Sequence, residues 1–309
     1  MRVLGITARG EIPAMVEVDD PQPALGQVRV AVEAASVNGF DLAVAAGYVW
    51  DHMPHTFPVV LGRDFAGTVE SVAPGVQDLR VGDRVAGAIT ALELGAGPIG
   101  EYLVVDASAL TAVPESVSSV QAAAVGLAGV TARDLIDALS IAADDSVLVS
   151  GATGGVGVFA LQLAARRGAR VLATARPGKA TEFVRALGAT DVIDYSGDVP
   201  HEVLRIAPDG VTKVVHTAGD ASALAGALSP GGQLASTVGA TSEQIGRSDV
   251  SVTAVMGTYT PKKLRDLLQQ VATAELNVPV TTTHPLAEAT RALEEFGKGK
   301  LGKIMVTVP

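Results

Sequence analysis

The chain has 309 residues, no cysteine, 48% hydrophobic residues and a formal net charge of −10. The lack of cysteine excludes disulfides, cysteine nucleophiles and thiolate zinc sites, and the negative charge argues against binding to nucleic acid or an anionic membrane surface. The N-terminus has no apolar secretory segment and the apolar stretch at 120–132 is shorter than the roughly 18 residues of a membrane helix, so we expect a soluble, cytoplasmic protein.

Residues 1–118 contain short strand-like runs with glycine and proline between them. The predicted strands cover 28–36, 65–75, 82–89 and 101–106. Short strands at such close spacing predict a partly open β-barrel.

Residues 119–255 alternate between strand-like and helical runs. The predicted strands are SVLVSG, RVLATA, DVIDY, KVVHTA and QLASTVG. One predicted helix ends at Arg167, and two others have the sequences TEFVRALG and SALAGALS. This alternation is typical of βαβ units, in which helices cover both faces of a parallel sheet.

Residues 256–309 return to a mixed pattern. We predict helices at 261–275 and 286–297, a strand near 278–283 and a closing strand at 303–308. The expected fold is therefore α/β, with a doubly wound parallel sheet (119–255) inserted between two parts (1–118 and 256–309) of a barrel-like domain.

The run GATGGVG (151–157) is the most specific motif, since it follows one predicted strand and opens the next helix. Glycines at that junction let backbone N–H groups approach a pyrophosphate at the helix N-terminus. We expect Thr153, Gly154, Gly155 and Val156 to bind a dinucleotide. The alternative is a glycine turn needed only for packing.

The end of the next strand favours NADPH over NADH. NAD sites usually carry an acidic residue there to hold the ribose 2′-hydroxyl, whereas this strand ends in Thr174, Ala175 and Arg176, with Lys179 just beyond. Two cations without a carboxylate suit a 2′-phosphate. The alternative is that both are the solvated start of a helix.

Further motifs occur in a fixed order along almost the whole chain. They are P-x-P-x-x-G-Q-V-R-V (21–30), N-x-x-D (38–41), G-x-Y (Gly47 to Tyr48), LGRDFAGTV (61–69), VGDRV (81–85), GVTA (129–132), GATGGVG, LGATDVIDY (187–195) and GKIMV (302–306). Together they resemble the zinc-independent quinone oxidoreductase (zeta-crystallin-like) branch of the medium-chain dehydrogenase/reductase superfamily. The resemblance implies a GroES-like barrel beside a Rossmann domain, and a homodimer.

The same resemblance bears on Arg63 and Asp64, which interrupt an apolar run. Zinc-containing relatives carry Gly-His-Glu where this chain has Gly62, Arg63 and Asp64, which implies a metal-free enzyme and a structural role for the charged pair. His52 and His55 could suggest a metal site, but they lie in a proline-containing loop without a fixed helical face. We interpret that loop as mobile and pocket-lining.

The resemblance also assigns roles to individual residues. It implies that Asn38 lies at the cofactor and that Tyr48 polarises the substrate carbonyl or supplies a proton, although Tyr48 could simply cap its loop. Asp41 is expected to brace that loop. His216 either touches the cofactor or is a satisfied histidine at a strand end. The remaining cofactor-binding candidates are Thr131, Tyr195 and Lys303.

The resulting hypothesis is a reductase that passes a hydride from NADPH to a quinone or an α,β-unsaturated carbonyl. Two alternatives stay open. One is an enoyl-thioester reductase on the same scaffold, and the other is a non-catalytic NADPH-binding protein with a structural or redox-sensing role.

Overall fold

The structure is a computed structural model that describes residues 1–309. The chain forms two compact units. The first comprises Met1–Leu127 and Tyr259–Pro309, and the second comprises Ala128–Thr258. None of the helices is long and apolar enough to cross a membrane.

The N-terminal part of the first unit is mostly antiparallel. Its elements are β1 (Arg2–Ile6), β2 (Ala14–Glu17), β3 (Gln27–Ser36), α1 (Gly39–Ala45), β4 (Val59–Val60), β5 (Asp64–Val72), β6 (Arg84–Ala88), β7 (Tyr102–Asp106) and β8 (Thr111–Ala112). Helix α2 (Ser119–Ala138) follows and continues into the second unit. The compact units divide at 127 and 258. The domain boundaries that we expect from the sequence, at 118 and 255, stay predictions.

The second unit alternates strands and helices in chain order. Its elements are β9 (Ser146–Ser150), α3 (Gly155–Arg166), β10 (Arg170–Thr174), α4 (Lys179–Ala186), β11 (Asp191–Ile193), α5 (Val199–Ile206), β12 (Val211–His216), α6 (Ala221–Ala225), β13 (Leu228–Ser236), α7 (Ser242–Ile245) and β14 (Ser251–Ala254). The predicted helix SALAGALS is shorter than expected, because α6 ends at Ala225 and the chain enters β13 at Leu228.

The six strands of the second unit form one parallel sheet in the order β11-β10-β9-β12-β13-β14. Counted along the chain this is 3-2-1-4-5-6, the order of dinucleotide-binding sheets. The three middle residues of both β9 and β10 are apolar and buried, as expected when both faces are covered. The predicted α/β fold with a Rossmann sheet is confirmed.

The chain then returns to the first unit through α8 (Pro261–Ala272), β15 (Val280–Pro285), α9 (Ala289–Gly297) and β16 (Lys303–Thr307). A seven-stranded sheet runs in the order β15-β16-β3-β5-β6-β8, with β7 also paired to β3. Strands β2, β1 and β4 form a second, antiparallel sheet. Along β3 buried residues alternate with half-buried ones, so one face of this strand lies on the core.

Candidate active site

The glycine-rich loop between β9 and α3 is shaped for close approach of a ligand to the backbone. Gly151 has φ of +77°, and a Cβ on Gly157 would lie 2.1 Å from the carbonyl oxygen of Gly151, so neither position accepts a side chain without a shift. Gly154 caps α3 with no side-chain hydrogen bond, and the first turn has no acidic residue. The N–H groups of this turn lack intrahelical acceptors, and thus fit an anionic group such as a pyrophosphate.

Thr174, which is predicted to contact the cofactor, supports that loop. Its side chain is buried, and its hydroxyl accepts the backbone N–H of Gly151 at 3.0 Å. The loop that would hold the pyrophosphate is therefore fixed by the adjacent strand β10.

Arg176, Lys179 and Tyr195 lie exposed beyond the ends of β10 and β11. The Arg176 guanidinium carbon lies 5.5 Å from the centre of the Tyr195 ring. The nearby carboxylate of Asp194 accepts the backbone N–H and hydroxyl of Ser196 at 3.0 and 2.8 Å, and these hydrogen bonds, with a smaller contribution from Arg176, lower the pKa of Asp194. The structure thus brings two of the predicted 2′-phosphate residues together.

A pocket of about 580 Å³ opens at the carboxyl ends of β12 and β13. Its lining includes His216, Gly219, Asp220 and Val238. His216 is buried, with Nε2 3.1 Å from the carbonyl oxygen of Gly219 and Nδ1 3.0 Å from the hydroxyl of Ser236. Since a carbonyl only accepts, Nε2 carries the proton of the neutral ring and Nδ1 accepts from Ser236. Both ring nitrogens are used within the protein, and His216 forms part of the pocket wall.

Thr131 is also buried in the second unit. It lies against Gly257, where a Cβ would come within 2.2 Å of the Thr131 hydroxyl oxygen.

In the first unit, Asn38 is the centre of a buried polar network. Its Nδ2 donates to Asp64 Oδ1 at 2.8 Å and to the hydroxyl of Ser36 at 3.1 Å. Its Oδ1 accepts from Nζ of Lys303 at 2.7 Å. The amide is therefore fixed in one orientation.

Lys303 is buried and approaches Asn38 from β16. Burial lowers the pKa of Lys303, and the carboxylates of Asp64 and Asp41 act in the opposite direction. Among the predicted site residues, Lys303 and Asn38 are thus in direct contact, with Lys303 holding the amide.

Asp41 braces the turn that contains Asn38, as expected from the sequence. Its carboxylate accepts the backbone N–H of Asn38 at 2.7 Å and that of Gly62 at 2.8 Å. Burial nevertheless raises the pKa of Asp41 from 3.8 to about 6, although both hydrogen bonds lower it.

This raised pKa predicts a pH-dependent stability. Because the folded-state pKa exceeds the unfolded value, Asp41 favours folding fully below about pH 4, and this contribution is lost as the pH rises through about 6. The unfolding free energy of the wild type should therefore fall between about pH 4 and 7. We expect Asp41→Asn to make this fall smaller by at most roughly 3 kcal/mol, at about 1.4 kcal/mol per pKa unit. Urea titrations across that range, with the exposed Asp209→Asn as control, measure the effect. Identical pH profiles for wild type and Asp41→Asn would contradict it.

Tyr48 lies in the turn after α1, and its side chain is 78% exposed. Its backbone N–H donates to the carbonyl of Ala43 at 3.0 Å, while its hydroxyl makes no hydrogen bond within the protein. The phenol is therefore available to a ligand.

The loop after Tyr48 is held by ring packing. Trp50, His55 and Phe57 contact one another with ring centroids 5.0 to 5.4 Å apart. Nδ1 of His55 lies 3.1 Å from the carbonyl oxygen of Met53. No group of three His, Asp or Glu side chains in residues 1–309 is arranged to hold a metal ion.

Arg63 and Asp64 are neighbours in sequence but have different partners. Asp64 accepts from Ser36, Asn38 and the backbone N–H of Leu127, the last at 2.9 Å. Arg63 donates instead to the carbonyl oxygens of Ile89 and Ala91. The structural role expected for Asp64 is thus accounted for by these contacts.

Comparison with known proteins agrees with this architecture. Residues 24–115 match the family described as "Alcohol dehydrogenase GroES-like domain" and residues 155–273 match "Zinc-binding dehydrogenase". An alcohol dehydrogenase superfamily protein from Novosphingobium aromaticivorans is 30% identical, with full coverage of both chains and a TM-score of 0.88.

Two curated relatives differ in length from this chain. A chloroplast envelope quinone oxidoreductase homolog of Arabidopsis thaliana is 34% identical over 66% of this chain and 63% of its own. A mycocerosic acid synthase-like polyketide synthase of Mycobacterium tuberculosis is 34% identical over 94% of this chain, which spans only 14% of that protein. The chain belongs to the alcohol dehydrogenase, or medium-chain dehydrogenase/reductase, superfamily, whose members bind NAD or NADP.

Proposed function

We propose that the protein is an NADPH-dependent reductase of quinones or α,β-unsaturated carbonyls. The observation that carries this proposal is the set of features at the carboxyl ends of β9 and β10 in the second unit. It combines a glycine loop, an α3 N-terminus without a carboxylate, and two cations where an NAD site would carry an acid.

Different residues would bind different parts of the cofactor. Backbone N–H groups from Thr153 to Val156 would bind the pyrophosphate, and Arg176, Lys179 and Tyr195 would contact the 2′-phosphate. When bound, NADPH supplies the hydride. The pocket beside His216 has the volume and polar lining to take the other end of the dinucleotide.

In the first unit, Asn38 and Tyr48 are proposed to act at the reacting end. Asn38 is preorganised by Lys303 and Asp64, so it would position a ligand without a cost for fixing its rotamer. Tyr48 would donate its free phenolic proton to the reduced acceptor.

NADPH oxidation against quinones, alkenals and enoyl thioesters tests this function. We expect turnover with at least one quinone or alkenal. Turnover with enoyl thioesters alone would establish the second candidate, which the similarity to a polyketide synthase over 94% of this chain favours. NADPH binding without turnover against any acceptor would indicate the non-catalytic protein.

We propose that the reaction needs no metal, because the family resemblance implies that Arg63 replaces the histidine of zinc-containing relatives and because the chain has no cysteine. We expect activity to survive exhaustive chelation, and elemental analysis of the active protein to find no stoichiometric zinc. Loss of activity on chelation that added zinc restores would contradict this proposal.

We also propose a homodimer. Strand β14 is the outer strand of the six-stranded sheet and three of its four residues are exposed, so its free edge can pair with another strand. Light scattering of the purified protein should give twice the mass of the 31.3 kDa chain. The mass of a single chain at micromolar concentration would contradict the dimer.

A further inference from the structure

Arg63 is a buried cation with an incomplete set of partners. It is only 8% exposed, and its Nη1 donates to the carbonyl oxygens of Ala91 at 2.8 Å and Ile89 at 3.4 Å. Its guanidinium carbon lies 4.2 Å from the centre of the Phe40 ring. No carboxylate forms an ion pair with it, and Nε and Nη2 have no acceptor in the protein.

These two donors are not fully enclosed, so a ligand can reach them. Arginine stays protonated in proteins, and burying a charge without a paired group is unfavourable. Burial lowers the pKa of Arg63, and only the field of Asp41 opposes it. The unused Nε–Nη2 edge is a rigid pair of donors that suits an electron-rich oxygen.

The size of the adjoining cavity limits what that oxygen can belong to. Arg63 lines a small cavity together with Phe40, Asp41 and Leu94. Its volume of about 10 Å³ has room for one water-sized centre. A single carbonyl oxygen fits this space, and the rest of the molecule that carries it would lie outside the cavity. Arg63 is also the only cation in the lining.

Arg63 is linked to the candidate catalytic turn by Asp41. The Asp41 carboxylate accepts the N–H of Asn38 on one side and the N–H of Gly62, the neighbour of Arg63, on the other. The backbone next to Arg63 is thus held to the Asn38 turn by short hydrogen bonds. The ring of Phe40, which the guanidinium contacts, belongs to a residue two positions after Asn38, so a group bound at Arg63 lies near the Asn38 turn.

We propose that Arg63 binds the carbonyl oxygen of the acceptor and stabilises the negative charge that develops there, a role that rests on the proposed reductase function. In an enone, hydride adds to the β-carbon, the C=C electron pair shifts toward the carbonyl, and the oxygen becomes an enolate. A proton from Tyr48 or water then completes the saturated ketone, so one NADPH and one proton are consumed per acceptor. Fixed donors aimed at such an oxygen lower the barrier to hydride transfer.

Arg63→Gln tests this role because it removes the charge and the outer guanidinium donors but keeps the aliphatic part of the side chain. We expect kcat/KM for the acceptor to fall about 10- to 100-fold, as for loss of a charge-assisted hydrogen bond. The Kd for NADPH should change little. Arg84→Gln is the matched control, because Arg84 is also held by backbone carbonyls, those of Pro114 and Val117. It should retain wild-type kcat/KM.

A measurement on the wild-type protein covers the case in which Arg63→Gln does not fold. A phenol that ionises near neutral pH mimics the enolate, and we expect its competitive inhibition to strengthen at least tenfold as it ionises. Its methyl ether, measured over the same pH range, corrects for titration of Asp41 and Glu93 in the cavity lining. Arg63→Lys keeps the charge but loses the paired donors of the guanidinium. Its kcat/KM for the acceptor should lie between those of the wild type and Arg63→Gln.

The outcomes separate this proposal from the proposed function. A wild-type protein that reduces no acceptor defeats both. An active wild type defeats the Arg63 proposal alone if Arg63→Gln keeps its kcat/KM, or if phenol and phenolate inhibit equally after correction. Equal losses in acceptor kcat/KM and NADPH affinity in Arg63→Gln would also overturn it, because they indicate a general structural role.

Discussion

Tyr48→Phe is expected to lower kcat roughly 10²-fold or more, the lower end of what a positioned acid contributes. The hydroxyl makes no hydrogen bond within the protein and the side chain is 78% exposed. Its removal therefore leaves no buried partner unsatisfied, and stability and NADPH affinity should stay as in wild type. Steady-state kinetics with the best acceptor, together with a thermal unfolding curve, measure both effects.

Tyr102→Phe is the control for this substitution. Tyr102 lies in β7 of the same unit beneath the guanidinium of Arg29, 5.1 Å from the ring centre, and is expected to affect kcat little. If Tyr48→Phe keeps the wild-type kcat, Tyr48 only lines its loop, and a water molecule becomes the better proton donor.

The sequence predicted the second unit more completely than the first because of how each sheet is built. Parallel strands covered on both faces form continuous apolar runs, such as SVLVS in β9, and each is followed closely by its helix. Strand β1 gives no such signal, because it has no helix after it and one of its two partners, Val59–Val60, lies more than fifty residues away in the chain. Helix α2 was missed as well, since apolar residues on all its sides produce no amphipathic period.

The same distinction applies to the candidate site. The motif N-x-x-D identified Asn38, but not that Lys303, 265 positions along the chain, fixes its amide. Thr174 was placed correctly at the end of its strand, yet its hydroxyl direction depends on the N–H of Gly151. Residue type and strand position can be read locally, whereas the partner of a buried polar atom depends on the fold. A buried Asp64 and Lys303 in apolar runs were the available signal for the network.

Cofactor selectivity is the second large effect that we expect. Arg176 and Lys179 are proposed to contact the 2′-phosphate, and a hydrogen bond to a charged group is worth about 1.5–3 kcal/mol. Two such contacts, not fully additive, should favour NADPH over NADH by roughly 10²- to 10³-fold in kcat/KM, at about 1.4 kcal/mol per tenfold. Parallel kinetics with the two cofactors and one acceptor give this ratio directly.

Arg176→Ala should raise KM for NADPH and leave the slower NADH reaction nearly unchanged, because only NADPH carries the phosphate. Arg185→Ala, an exposed arginine in the last turn of α4, is the matched control and should alter neither cofactor. Since Arg176 and Lys179 are exposed, salt screens their contacts, and high ionic strength should weaken NADPH binding more than NADH binding. The nearby Asp194 carboxylate is engaged by Ser196 and leaves the guanidinium free to meet the phosphate. Equal use of both cofactors by the wild type, or equal damage to both in Arg176→Ala, would show instead that these cations form an ordinary solvated helix start.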